Sequence, residues 1–212
     1  LVAAGFLGGL ANALAGGASL FTFPALLASG LSPITANASN AFALLPANGM
    51  AAWADAEKIP PRSTTTLTIL ACAMVGGILG GVLLLETSAG FFQLMVPALI
   101  GLATIMFIFG KTLQQALAKL LGTGEHPKLC ASLIFLSGIY GGYFGAGLGV
   151  VLMAVLAATT MWEMRMANAY KTILNVGANV MAKVIFVSMG LISWLEKLLL
   201  ILVTYVVGFA GG

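Results

Sequence analysis

The stretch ANAYKTILNVGANVMAK, residues 167–183, places three asparagines and two lysines inside an apolar run long enough to cross a bilayer. A lysine at the centre of a membrane costs at least about 2.5 kcal/mol on insertion scales, so it needs a structural or functional reason. These polar residues recur every three or four positions, as Asn168, Lys171, Asn175, Asn179 and Lys183. At about 100° per residue they share one face of a helix. The pattern predicts a membrane helix whose polar, cationic face is turned away from lipid.

The composition of the chain also indicates an integral membrane protein. Of its 212 residues, 60% are hydrophobic and 7% are charged, whereas soluble domains carry about 25% charged residues. The net charge of +3 suits residues that flank membrane spans better than a nucleic-acid surface. Cys72, Cys130 and the single histidine, His126, form no metal-binding or catalytic spacing. We therefore expect neither an enzyme nor a cofactor.

Seven apolar segments are long enough to be membrane spans. They cover residues 2–29, 36–54, 64–85, 91–110, 129–159, 167–190 and 197–212. Basic residues concentrate after the second and fourth spans, and the positive-inside rule places those connectors in the cytoplasm. Residues 112–121 are compatible with an amphipathic surface helix or with a plain linker. The sequence thus predicts a multi-pass protein of the cell (inner) membrane.

An internal repeat organises these spans. The matching blocks are GFLGG (5–9) with GIYGG (138–142), ANASN (36–40) with ANAYK (167–171), and GILGG (77–81) with GFAGG (208–212). We expect two tandem four-span repeats, residues 1–111 and 129–212, joined by a cytoplasmic connector at 112–128. The second repeat is truncated, so the fold class expected is an all-α bundle with seven visible spans and eight in the full chain. Parallel and inverted repeats both remain open.

The repeat extends the polar stripe to the first half of the chain. Asn37, Asn40 and Asn48 occupy the positions of Asn168, Lys171 and Asn179. No acidic residue lies inside the span to pair with the lysines, and ammonium groups beside amide donors are what an anion needs. The candidate substrate-binding residues are Lys171, Asn168, Asn175, Asn179, Asn37, Asn40, Asn48, Asn12, Ser19 and Lys183. The alternatives are that the asparagines join helices and that the lysines extend to the membrane surface.

The first and fifth spans are rich in glycine near their centres, in NALAGGASL (12–20) and GAGLGVVL (145–152). Glycine is a poor helix former, and many transporters interrupt helices near the bilayer midplane so that half-helix N-termini face the substrate. We therefore expect breaks near Gly16–Ser19 and Gly145–Gly149, with Asn12 and Ser19 as additional donors. Close packing of helices through small residues is the alternative explanation.

These features together resemble the sulfite exporter TauE/SafE family of membrane transporters. The resemblance rests on the Gly-rich opening GFLGGLANALAGGASLFTFPALLASG (5–30), on the helix beginning SPITANAS (32–39) and on GGILGG (76–81), and it covers nearly the whole chain as two halves. It implies a transporter that exports small sulfur-containing anions of the sulfite or organosulfonate class.

The residues themselves specify only an anion. The rival interpretations are an anion channel, a membrane enzyme or assembly factor without transport, and a cation or metal carrier, which would need acidic, His or Cys residues in the spans. An anion that leaves a negative-inside cell gains about 2.3 kcal/mol per charge per 100 mV, which favours export. The expected partners are a small anionic substrate and the lipid bilayer, with a homodimer left open and no nucleic acid.

Overall fold

The computed structural model describes residues 18–121 and 124–188, and within them it contains α-helices, one 3-10 turn and no β-strand. The helices are α1 Ser19–Ala28, α2 Pro33–Ala43, α3 Leu45–Ala54, α4 Thr64–Glu86, α5 Ala89–Leu121, α6 Pro127–Tyr143, α7 Leu148–Thr159 and α8 Met164–Ser188, with the 3-10 turn at Ala56–Lys58. By length and hydropathy α4 and α5 can each cross a membrane. The predicted all-α membrane fold class is confirmed.

Two predicted spans differ in detail from the helices that form. The second span, expected to be continuous over 36–54, is divided at Leu44 into α2 and α3. Pro46 lies in the first turn of α3, where its missing N–H cannot complete the hydrogen-bond ladder of α2. The fourth span continues through residues 112–121, which are neither a separate surface helix nor a linker. Its 33 residues extend over about 50 Å, more than the bilayer core of about 30 Å.

The fifth span is broken as predicted, between α6 and α7. Gly145 and Gly147 adopt φ angles of +80° and +76°, a left-handed conformation that glycine reaches without strain. The corresponding break in the first span was expected at Gly16–Ser19; Gly16 and Gly17 lie outside the described residues, as does the seventh span, 197–212.

Hydrogen bonds from two side chains, one in α2 and one in α6 itself, stabilise the break after α6. Asn37 of α2, which is 2% exposed, donates through Nδ2 to the carbonyl oxygen of Tyr143 over 2.8 Å. The Tyr140 hydroxyl donates to the carbonyl oxygen of Ala146. A helix end leaves carbonyls without intrahelical partners, and lipid cannot supply donors to them. These two side chains therefore satisfy backbone groups that the interruption of the helix exposes.

Glycines allow α4 to lie directly against α6 and α8. A Cβ atom added at Gly77 would collide with the backbone of Ala178 in α8, and one added at Gly80 would collide with the carbonyl of Ile139 in α6. The carbonyl of Gly77 in turn lies where a Cβ of Gly142 would be. Close backbone approach through small residues is typical of membrane helices, which gain van der Waals contact in this way. The three helices form the scaffold on which the polar residues of α8 are held.

We expect Gly80→Ala to lower the free energy of unfolding by about 1–3 kcal/mol, because the added methyl group forces the backbones of α4 and α6 apart. Thermal unfolding of the purified protein in detergent measures the change. Gly101→Ala is the matched control: Gly101 is also inside a long helix, but an added Cβ would meet no atom within 4 Å. That control should be neutral or slightly stabilising, because alanine is the better helix former. Equal melting temperatures for the two variants would contradict the packing argument.

We expect Asn37→Ala to destabilise the protein by about 1–3 kcal/mol, because it leaves the buried Tyr143 carbonyl without its donor. Asn37→Asp, which keeps the size of the side chain but removes the N–H donor, should have a similar or larger effect. Asn168→Ala changes the residue at the repeat-equivalent position, where the side chain is exposed, and should cost less than about 0.5 kcal/mol. A loss for Asn37→Ala no larger than for Asn168→Ala would argue against this role of Asn37.

Candidate functional site

A small polar cavity lies where the first-half helices meet the broken span and α8. It is lined by Ser19, Asn40, Ala41, Leu44, Asn48, Phe144, Gly145, Gly149, Asn175 and Asn179. The predicted proximity of the second and sixth spans is confirmed, because both α2 and α3 contact α8. Asn48 and Asn179, which the repeat pairs in sequence, both contribute to this cavity. None of the lining residues in the described part of the chain is charged.

On the first-half side, three polar side chains form a connected group at the start of α1. Asn40 donates through Nδ2 to the Ser19 hydroxyl oxygen over 3.0 Å, while the Thr22 hydroxyl donates to Asn40 Oδ1. Ser19 accepts in this bond, and within the described residues its own hydroxyl donates to no acceptor. Asn40 is 2% exposed and Thr22 is 1% exposed, so lipid has no access to the group. Thr22 was not predicted as a site residue, since no pattern in the sequence marks its contact with Asn40.

On the second-half side, two asparagines of α8 bond to each other. Asn179 donates through Nδ2 to the side-chain oxygen of Asn175 at 2.7 Å and to its backbone oxygen at 2.8 Å. Both protons of the Asn179 amide are therefore used within the helix. The Nδ2 amide of Asn175 has no hydrogen-bond partner in the described part of the chain. Of these two residues, Asn175 has the donor that remains for a bound molecule.

The break in the fifth span adds an electrostatic contribution to the cavity. Gly149 is the second residue of α7, so the first turn of that helix lines the cavity. The N-terminus of a helix carries roughly half a positive charge, spread over N–H groups without intrahelical acceptors. The N–H groups of Leu148 and Val150 donate to the carbonyls of Gly145 and Gly147, and the N-cap residue Gly147 has no side chain to accept from the remaining N–H of Gly149. This end of α7 therefore favours negative charge in the cavity.

Lys171 and Asn168 lie away from the cavity, in the second and third turns of α8. Lys171 donates through Nζ to Asn168 Oδ1 over 2.7 Å; Asn168 is exposed and Lys171 is half-buried. The start of α8 contacts the 3-10 turn Ala56–Lys58 in the connector that follows α3. The expectation that Asn168 faces inward was wrong, because the polar stripe turns inward only from Asn175 onward. So close to the helix end, Asn168 and Lys171 reach the polar surface of the protein.

Lys183 lies deeper than expected. It is 3% exposed, whereas one alternative from the sequence was that the lysines extend to the membrane surface. Its neighbours Ala182 and Phe186 are buried with it, at 3% and 1% exposure, while Val184 is exposed. Lys183 is therefore on the protein-facing side of α8, one turn beyond Asn179. In the described residues it has neither a hydrogen bond nor an ion pair.

The remaining predicted residues have separate positions. Asn37 is buried, but its donor is bonded to Tyr143. Asn12 lies outside the described residues. No group of three or more His, Cys, Asp or Glu residues that could hold a metal ion occurs in the described ranges.

Comparison with known proteins identifies the family. The model of the family described as Sulfite exporter TauE/SafE matches residues 1–212. A "Probable membrane transporter protein" of Haemophilus influenzae is 27% identical over 203 residues, covering 92% of this chain and 75% of that protein. The "Probable membrane transporter protein ORF9" of Sinorhizobium sp is 27% identical over 205 residues, covering 94% and 76%.

A third relative, the "Probable membrane transporter protein YfcA" of Escherichia coli K12, is 26% identical over 195 residues, covering 89% of this chain and 69% of that protein. No solved structure matches the chain. The match of the family model over the whole chain agrees with the apolar helices of the structure. The chain belongs to the TauE/SafE sulfite exporter family and is a multi-pass membrane transporter rather than an enzyme.

Proposed function

We propose that this transporter exports small sulfur-containing anions of the sulfite or organosulfonate class, and that they bind in the cavity between the two halves of the chain. The observation that carries the proposal is the character of that cavity. It combines amide and hydroxyl groups with the N-terminal turn of α7, and its described lining includes no carboxylate. Such a site offers donors and partial positive charge to an anion and no ligand set suited to a metal cation.

Three elements supply the hydrogen bonds in this proposal. Within the described residues the Ser19 hydroxyl and the Asn175 amide have protons left to donate. The first turn of α7 adds the backbone N–H of Gly149, the one N–H of that turn that donates to no described carbonyl. The oxygens of a sulfite or sulfonate group can each accept such bonds. Hydrogen bonds to a charged group contribute about 1.5–3 kcal/mol each. The carbonyls at the opposite side of the break would repel an anion, but Asn37 and Tyr140 donate to those of Tyr143 and Ala146.

Lys171 acts in this proposal at the entrance and not inside the cavity. It is half-buried and bonded to the exposed Asn168, so the surrounding water screens its charge. A cationic side chain at the mouth of a pathway raises the local concentration of anions and their rate of entry. We expect its effect on transport to be kinetic.

The choice of sulfur-containing anions and of export rests on the family to which the chain belongs. The experiment is uptake and release of labelled sulfite and of an alkyl sulfonate by proteoliposomes containing the purified protein. Saturable flux, with competition between the two anions, supports the proposed carrier. Flux that rises linearly with concentration indicates an anion channel, and no flux above that of empty liposomes rejects the proposal.

We expect Asn175→Leu to weaken anion binding about tenfold to a hundredfold, because it removes a donor from the cavity. Leucine is chosen because Leu44 occupies the equivalent position in the first half and lines the same cavity. Competition binding and transport kinetics measure the effect as a change in KM. Thr172→Val, on the same helix but outside the cavity, is the control and should leave KM unchanged. Wild-type affinity in Asn175→Leu would remove this residue from the binding site.

We expect Lys171→Gln to slow anion entry severalfold at low salt and much less at high salt, because a screened charge acts mainly through the local field. Lys171→Arg keeps the charge and should retain most of the rate. Initial rates of uptake, at two ionic strengths and with equal amounts of folded protein, provide the measurement. If Lys171→Gln transports at the wild-type rate under both conditions, the lysine serves only to anchor α8 at the membrane surface.

A further inference from the structure

Lys183 is a buried cationic residue that the proposed anion site does not use. It lies on the protein-facing side of α8, one helical turn beyond Asn179, which lines the cavity, and it is 3% exposed. Ala182, beside it, packs against Gly81 of α4. The aliphatic part of a lysine is readily buried, but a protonated amino group in an apolar interior needs a counter-charge.

Among the described residues, the helices that pack on α8 place no acidic side chain level with Lys183. Because Gly81 of α4 lies opposite Ala182, Glu86 is about one turn further along, where it is exposed. Within the described residues, α2, α3 and α7 contain no Asp, Glu, Lys, Arg or His. The charged residues of the other packed elements lie at their ends: Glu86 at the last position of α4, Glu57 and Lys58 in the 3-10 turn, Lys128 at the start of α6, and Arg165 and Lys171 in the first turns of α8 itself. The titratable groups inside the packed helices are Cys72 of α4, Cys130, Tyr140 and Tyr143 of α6, and Tyr170 of α8.

We propose that Lys183 takes up a proton together with the transported anion, so that anion and proton bind as a pair. A lone ammonium buried in protein is unfavourable, and a group in that position either gives up its proton or acquires a counter-ion. The anion in the neighbouring cavity is that counter-ion. In the loaded state Lys183 is an ammonium ion opposite the anion, and in the empty state it is a neutral amine. The proton comes from water on the side of binding and returns to water where the anion leaves.

This inference rests on the proposed function, since it needs an anion in the cavity. It adds that a proton is the ion coupled to transport of the anion. Binding linkage is reciprocal: if the anion favours protonation of Lys183, protonation favours the anion by the same factor. Anion affinity should therefore rise as the pH falls, by about tenfold per pH unit over the range in which the empty site is neutral. For a monovalent anion the loaded carrier gains no net charge, so the membrane potential does not drive this step, and export in this form is driven by the anion gradient against any proton gradient that is alkaline inside. Transport should then respond to a proton gradient as well as to the anion gradient.

The first test is proton uptake on binding, measured by titration calorimetry in two buffers of different ionisation enthalpy. Methanesulfonate is the probe, because it remains a monovalent anion throughout the neutral pH range and takes up no proton itself. We expect the wild-type protein to take up about one proton per anion bound. Binding with no proton uptake overturns the coupling inference and leaves the proposed function intact. Failure of methanesulfonate, sulfite and sulfate all to bind rejects both.

Variants assign the proton to Lys183. Lys183→Arg retains a positive charge that cannot be lost, so it should bind methanesulfonate without proton uptake and with an affinity independent of pH. Lys183→Gln should also bind without proton uptake, and more weakly. Lys128→Gln, which removes an exposed lysine at the start of α6, is the matched control and should behave as the wild type. Proton uptake that persists in both Lys183 variants places the titrating group elsewhere and overturns the assignment.

A proton gradient across proteoliposomes provides a second readout that does not depend on mutation. With wild-type protein, methanesulfonate should accumulate in liposomes whose interior is more alkaline than the medium, at a membrane potential clamped to zero. Equal distribution of methanesulfonate under that gradient, with flux still measurable, contradicts the inference.

Discussion

The interruption of the fifth span between Tyr143 and Leu148 is the constraint from which the rest of the site follows. A helix that stops inside a bilayer exposes backbone N–H and C=O groups, and lipid cannot satisfy them. The backbone groups at the end of α6 and at the start of α7 are satisfied in different ways. Asn37 and Tyr140 donate to carbonyls around the break, while the N-terminal turn of α7 faces a cavity of amides and hydroxyls. At the break, the carbonyl groups are therefore satisfied by side-chain donors, and the N-terminus of α7 favours an anion.

Close packing of α4, α6 and α8 holds one wall of the cavity in a fixed position. Backbone contacts at Gly77, Gly80 and Gly142 leave no space for side chains between these helices, so α6 and α8 have a fixed relation to α4. The opposite wall of the cavity is built from shorter helices, α1 to α3, with a break of their own at Leu44. A carrier must expose its site to each side of the membrane in turn, and short, interrupted helices on one wall with a packed scaffold on the other suit such a movement.

The sequence was informative where a local rule decides the structure. Gly-rich segments predicted the break near Gly145, and helical spacing predicted that Asn175 and Asn179 lie on one face of α8. The proline-induced division at Leu44 was missed although Pro46 was a usable signal. The role of Asn37 could not be inferred, because its acceptor lies 106 residues away and only the tertiary fold brings them together. Asn168 and Asn37 occupy equivalent positions in the predicted repeat, yet Asn168 is exposed and Asn37 is buried.

The two lysines of the opening stretch show why spacing alone cannot assign roles within a polar stripe. Both share a face of α8, and the sequence favoured Lys171 as the anion ligand because Lys183 is nearer the end of the predicted span. Depth in the protein depends instead on what packs around each turn. The start of α8 meets a polar connector, so Lys171 keeps access to the surface. Around Lys183 the helix is enclosed by α4 and the apolar core, and an amine there is costly to keep charged unless an anion accompanies it.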